Sequence, residues 1–354
     1  MTRREFMFLT GACSLSGQAP DFSEPQNLSF PLSSIEGALT PPDLFFVRDH
    51  FREPDVSVRD WRLRIEGRVM RPMELRFADL VESRNQKLEA VLECAGNAAG
   101  GSAVSNGVWE GVPLAGLLRE AGIAEDAAMV LLEGADAGRL TDNSPALPYC
   151  QVVPAAKCLR EESMIAFKLN DHFLPRKNGF PARALFPGWY AMDSVKWLRR
   201  IVVLGAGERA ADFEDSGMNR IYNRVVSGAG GARKITRLSE IAVKSAIAWP
   251  ADKSRLPAAR HTVRGFAWAG SARVRAVEVS HNGGRVWNPA TLEGASKAFS
   301  WVRWSYVWEA RAGEHVLLSR ATDESGRQQP LARDPARKDG YELNFCAPVR
   351  CSVG

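Results

Sequence analysis

Beyond Ile235 the chain is a succession of short runs in which apolar and polar residues alternate, each closed by a turn, and few folds are open to such a segment. Val274-Arg275-Ala276-Val277-Glu278-Val279-Ser280 leads through His281-Asn282-Gly283-Gly284 into Arg285-Val286-Trp287. A period of two broken by Asn-Gly predicts a β-hairpin. Trp301-Val302-Arg303-Trp304-Ser305-Tyr306-Val307-Trp308 and His315-Val316-Leu317-Leu318-Ser319-Arg320-Ala321 carry the alternation on. Several such strands in about 120 residues, with Trp301, Trp304 and Trp308 turned toward a core, predict an Ig-like β-sandwich over residues 234–354.

At 354 residues the chain exceeds what one hydrophobic core usually serves, so a second domain is expected upstream. There the texture is mixed. Trp61-Arg62-Leu63-Arg64-Ile65-Glu66-Gly67 alternates as a half-buried strand does, and Ala127–Leu132 and Ser163–Phe167 read as buried strands. Phe77–Val81 and Pro113–Leu118 read as short helices, the second with proline where a helix start tolerates it. The expected fold class is therefore α+β over residues 21–233, followed by an all-β sandwich. The polar, Gly-rich stretch Gly205–Arg233 leads from one to the other.

The 46 basic and 41 acidic residues leave a net charge of +5 that is spread along the chain, so nucleic-acid binding has no support. No segment approaches the ~18 apolar residues of a membrane span. Within residues 1–20, Thr2-Arg3-Arg4-Glu5-Phe6-Met7 precedes a moderately apolar run, which resembles a twin-arginine export signal and predicts a periplasmic protein. The other reading is an ordinary basic N-terminus on a cytoplasmic protein.

Six cysteines occur, at positions 13, 94, 150, 158, 346 and 351, in no C-x-x-C, C-x-x-C-H or zinc spacing. In an exported protein Cys150/Cys158 and Cys346/Cys351 are possible disulfides; otherwise they are scattered thiols. Cys94 stands apart. In Glu93-Cys94-Ala95-Gly96-Asn97 it follows the apolar run Ala90-Val91-Leu92 and precedes Ala98-Ala99-Gly100-Gly101-Ser102. Small residues on one side of the sulfur clear space for something bulky and suit a thiolate that binds a soft metal.

Four ordered segments together resemble the sulfite oxidase-type molybdenum enzymes. They are Thr40–His50; Cys94-Ala95-Gly96-Asn97; Gly179-Phe180-Pro181-Ala182-Arg183 with Pro187-Gly188-Trp189-Tyr190 and Ser194-Val195-Lys196-Trp197-Leu198; and Val277–Trp287. The resemblance implies a molybdenum-cofactor domain followed by a dimerisation domain, hence a homodimer. It implies molybdenum held by the dithiolene of a molybdopterin and by the thiolate of Cys94. Arg183 and Lys196, with Ser194 beside them, match positions that bind the pterin phosphate. Arg48 and His50 match positions lining the metal site and the pterin, and Asp136 matches a carboxylate on the pterin ring. Tyr222 matches a tyrosine near the metal, although Ile221 stands where an aspartate usually precedes it; the other reading is a surface-loop tyrosine.

The chain also departs from that pattern. Ala98-Ala99-Gly100 follows the cysteine motif where an arginine is usual, and Asn178 replaces a histidine as the pterin partner. A substrate-site arginine expected before the last strand is not evident in Arg337-Lys338-Asp339-Gly340-Tyr341, where Lys338 is the substitute without a bidentate fork. Each lost charged hydrogen bond is worth about 1.5–3 kcal/mol, so the loss of one or two arginines is enough to weaken binding of an oxyanion by one to several powers of ten. The resemblance implies oxygen-atom transfer to sulfite or a related sulfur compound, with Cys94, Tyr222 and Arg48 at the reacting centre. With no HPGG-type haem segment in the chain, electrons pass to an external protein, a c-type cytochrome. Two other readings compete: a molybdenum reductase of an S-oxide, N-oxide or nitrate, and a non-catalytic dimeric binding protein.

Overall fold

The structure is a computed structural model that describes residues 24–140, 144–206, 218, 221–227 and 232–354. The arginine pair at residues 3 and 4 and Cys13 lie outside the described residues. The first part of the chain folds around two five-stranded sheets. In one, the strands run in the order His172–Phe173, Met164–Leu169, Val104–Pro113, Gln86–Glu93, with Arg183–Leu185 also pairing to Met164–Leu169. In the other the order is Met73–Arg76, Arg62–Gly67, Leu198–Gly205, Ala127–Gly138, Leu147–Pro154. All neighbours are antiparallel except Arg62–Gly67 with Leu198–Gly205.

Leu63, Ile65, Val130 and Ile201 from one sheet meet Val112, Ile165 and Phe167 from the other in one buried cluster. The short helices Phe77–Glu82, Leu114–Glu120 and Ala155–Cys158 contribute Leu80, Leu117, Leu118 and Ala155 to it. Their apolar side chains, not helix propensity, hold such short helices in place.

The second part is a β-sandwich. Lys244–Trp249, Arg260–Trp268, Val302–Glu309 and Thr291–Glu293 form one sheet; Ser254–Leu256, Val349–Val353, Gly313–Asp323, Val274–Ser280 and Asn288–Pro289 form the other. Val263, Trp304, Trp308, Val277, Val279 and Leu317 fill the space between them. Trp301 is buried too, but in a different cluster.

One hairpin differs from expectation. Pairing after Val274–Ser280 resumes at Asn288–Pro289, not at Arg285. Ser280 Oγ accepts from Gly284 N, and Asn282 Oδ1 accepts from the backbone of Arg285 and Val286. Side chains thus capture the amides that a tighter hairpin would spend on its ladder. The polar, Gly-rich stretch between Gly205 and Arg233 contains Asn223–Ser227, which pairs with Arg233–Arg237.

The two parts share an apolar seam. Val91, Ala95, Val104, Tyr190 and Tyr222 pack against Leu238, Ala246, Phe266, Trp268 and Trp301. Val91 N donates to Phe299 O across it at 2.8 Å. Cys94 therefore emerges from the first part directly over the second. No described helix is long and apolar enough to cross a membrane.

Candidate active site

A cleft of about 680 Å3, open mouth included, brings together Arg48, His50, Cys94, Asp136, Asn178, Arg183, Ser194, Lys196 and Tyr222. These nine are the residues singled out from the sequence, drawn from segments up to 174 positions apart. Cys150, Cys158, Cys346 and Cys351 are free thiols, as is Cys94. Lys338 is exposed, donates to Pro335 O and does not line the cleft. Arg337 is spent on Asp339 and Glu342 at 2.8 Å each.

Cys94 follows the last residue of the strand Gln86–Glu93, at a turn closed by Asn97 N donating to Cys94 O at 2.9 Å. Burial raises its thiol pKa, while the Gly96 amide and Arg48 pull it down. Arg48 is exposed and makes no ion pair with the described residues; its guanidinium donates to Asp49 O. Tyr341, which the sequence did not mark, packs on Tyr222 with ring centroids 5.3 Å apart. A Cβ on Gly96 would lie 3.9 Å from Tyr341 and 4.0 Å from Cys94 Sγ, so ring and sulfur flank that glycine.

Asp136 reaches the cleft because its strand bulges. Glu133 pairs with Cys150 and Ala137 with Pro148, so Gly134, Ala135 and Asp136 oppose Tyr149 alone. A bulge re-aims side chains in this way, and both Asp136 and Tyr149 line the cleft. Burial pushes the Asp136 carboxyl up to about 7, against the pull of Lys196. Gly134 makes the bulge possible: a Cβ there would lie 2.5 Å from Asp136 Oδ1 and 2.8 Å from Lys196 O. Gly134→Ala is expected to cost about 1–3 kcal/mol, the range for overpacking, and to lower cofactor content; urea denaturation and metal analysis read the two effects.

Tyr222 Oη lies 2.5 Å from His50 Nε2. Burial holds the phenol well above its usual range, so it keeps its proton. Burial, then the charges of Arg48 and Lys196, hold the imidazole at about 4 instead of 6.5. A neutral ring leaves Nε2 able to accept the phenol proton. Because the native ring resists protonation while the unfolded one does not, its contribution to stability is full above 6.5 and lost as pH falls from 6.5 toward 4. That contribution is about 3 kcal/mol. In cofactor-free protein, His50→Gln is expected to lose less stability than wild type between pH 7 and pH 4.5, measured by urea denaturation.

The other end of the cleft is cationic. Arg183 is 4% exposed, donates to the carbonyls of Asn178 at 3.0 Å and Ser194 at 2.7 Å, and makes no ion pair with the described residues. Its guanidinium lies 5.3 Å from the Trp109 ring centroid. Lys196, by contrast, pairs with Asp49, a residue the sequence reading passed over, and donates to Lys177 O. Asp49 Oδ2 and Asn178 Oδ1 are buried without a hydrogen-bond partner among the described residues. An unpaired buried cation and orphaned polar atoms are costly in an empty cleft, but fit one that holds a phosphorylated, hydrogen-bonding ligand. The donor set fits the molybdenum cofactor: a thiol for the metal, a guanidinium and an amide for the pterin.

Two family models match, an oxidoreductase molybdopterin binding domain over residues 50–210 and a Mo-co oxidoreductase dimerisation domain over residues 233–336. Sulfite oxidase of Gallus gallus is 32% identical over 322 residues, covering 83% of this chain and 69% of that protein. The chain belongs to the sulfite oxidase-type molybdopterin oxidoreductases. Within that family its cofactor is molybdenum–molybdopterin. The crystal structure of the sulfane dehydrogenase SoxCD from Paracoccus pantotrophus superposes with a TM-score of 0.79 at 26% identity, covering 95% of this chain and 93% of that one. An NADH nitrate reductase of Solanum lycopersicum is 30% identical over 89% of this chain, which spans 38% of that protein.

Proposed function

We propose that this family member oxidises a sulfur compound, either sulfite or one carrying sulfane sulfur, and passes the electrons to an external c-type cytochrome. The observation that carries the reading is the cleft itself, with a thiol beside a free arginine at one end and an unpaired buried guanidinium at the other. Kinship with the chicken sulfite oxidase and the Paracoccus sulfane dehydrogenase supports the choice of sulfur. The match to a dimerisation domain supports a homodimer, and the paired arginines at residues 3 and 4 support export to the periplasm.

The molybdenum cofactor, when bound, supplies two-electron oxygen-atom transfer. Cys94 ligates its metal. Arg183, Lys196 and Ser194 hold its phosphate, and Asn178 offers an unpartnered amide oxygen to a pterin donor. Asp136, poised near neutrality, exchanges hydrogen bonds with the pterin ring. Arg48 draws the substrate anion toward the sulfur side, and the Tyr222 phenol, steadied by His50, orients it there.

Anaerobic titration with sulfite and with a sulfane donor, followed optically and by EPR, is expected to reduce the metal with one of them. A specific observation favours a second direction: of the two cations that weigh most on Cys94, Arg48 and Lys244, the second is already paired with Glu93. A neutral S-oxide or N-oxide needs less positive charge than sulfite. Turnover of such substrates with reduced viologen, and no reduction by either sulfur donor, would overturn the oxidative assignment.

A further inference from the structure

Glu93, the residue before the metal ligand, is 1% exposed although it ends a strand and carries a charge. Both oxygens of its carboxylate are hydrogen-bonded. Oε1 accepts from Lys244 Nζ at 2.7 Å and from Asn97 Nδ2 at 2.9 Å, and Oε2 accepts from Trp268 Nε1 at 2.7 Å. Asn97 then closes the turn: its Oδ1 accepts from Ala103 N at 3.0 Å, and Cys94 N donates to Ala103 O at 2.9 Å. The carboxylate thus fastens the chain on both sides of Cys94.

Lys244 and Trp268 are direct partners on adjacent strands of the β-sandwich, so one cross-strand pair supplies two of the three donors. The ammonium is 3% exposed and also reaches Ala98 O at 3.4 Å. Burying two charges costs several kcal/mol per ion before their attraction is counted, and apolar replacements are often as stable. Fold stability alone therefore does not account for a buried ion pair at this position. What it does provide is a rigid, charge-neutral setting next to a metal ligand, where interactions are strong because water is excluded.

We propose that Glu93 and Lys244 are positioning residues through which the β-sandwich orients the Cys94 loop and balances the charge felt by its metal. The inference rests on Cys94 being that ligand, as proposed above. Its signature is a pair of opposite shifts. Lys244→Met leaves a negative charge beside the ligand, disfavours added electrons and lowers the midpoint potential of the centre. Glu93→Gln leaves the ammonium unbalanced and raises it.

The test is a mediated redox titration of the intact holoenzyme with dithionite, followed by EPR of the half-reduced metal and by metal content. It needs no substrate, so it stands apart from the question of which sulfur compound is oxidised. The expected result is a fall for Lys244→Met, a rise for Glu93→Gln, and near wild-type values for Lys244→Arg and for the double variant Glu93→Gln/Lys244→Met. If Lys244→Met does not fold, the rise in Glu93→Gln and its reversal in the double variant decide the matter. Unchanged potentials and EPR parameters, or shifts of one sign, would reduce the pair to ordinary packing and overturn the proposal. A wild-type protein with no molybdenum signal would overturn the metal assignment and this inference with it.

Discussion

Cys94→Ser is expected to abolish turnover with every substrate while leaving the fold and most of the bound pterin in place. The side chain differs by one atom, and Cys94 is half-buried at a turn held by backbone and Asn97 hydrogen bonds that serine does not disturb. The side chains proposed to hold the pterin, Arg183, Lys196, Asn178 and Asp136, are untouched. What disappears is a soft sulfur donor, and a serine oxygen is a poor replacement on a metal that must change oxidation state. Losing an outer-shell partner of a metal ligand typically costs about 10–100-fold in activity; loss of the ligand itself is expected to exceed that range. The measurement is kcat with the best reductant from the sulfur panel, alongside molybdenum and pterin content. A serine variant with near wild-type kcat and full cofactor would sink the assignment of Cys94.

Much of this site is legible in the sequence, because its residues sit in runs whose chemistry is locally odd. Arg183 lies in a Gly-Phe-Pro-Ala-Arg run and Lys196 in Ser-Val-Lys-Trp-Leu, and a charge in such company is seldom solvated. Both are buried or nearly so in the fold. The sandwich was equally plain, since alternation with tryptophan leaves little choice of buried face. Other parts were hidden for a physical reason: they depend on pairings distant in sequence. Asp49 reads as one more loop carboxylate until Lys196, 147 residues later, closes on it. Glu93 looks like the polar end of a strand, and only the fold brings Lys244 to it across 151 positions. Tyr149 enters the cleft because of a bulge that no local signal announces. Lys338 failed as a substitute cation because a short side-chain-to-backbone contact with Pro335 turns it to solvent. Arg337, beside it, is already paired with two carboxylates, Asp339 and Glu342.

Arg183→Leu is expected to separate cofactor retention from fold stability more cleanly than any other substitution in the cleft. Two opposing terms set its effect on the cofactor-free protein. Removing a buried guanidinium with no carboxylate partner recovers a desolvation cost of several kcal/mol. Against that, the carbonyls of Asn178 and Ser194 lose charged hydrogen bonds worth about 1.5–3 kcal/mol each. The terms are of similar size, and leucine packs acceptably against Trp109, so the apoprotein should unfold at nearly the wild-type urea concentration. The holoenzyme should not. A phosphate that loses a guanidinium loses a bidentate, charge-assisted partner, and Lys196 is an incomplete replacement because Asp49 already neutralises it. Molybdenum and pterin recovered per protein should therefore fall by at least about tenfold, one charged hydrogen bond's worth, with kcat per bound metal largely kept. Arg183→Lys should recover part of the binding. If Arg183→Leu kept its cofactor, the phosphate would have to lie elsewhere, and the buried guanidinium would be a structural cation satisfied by backbone carbonyls alone.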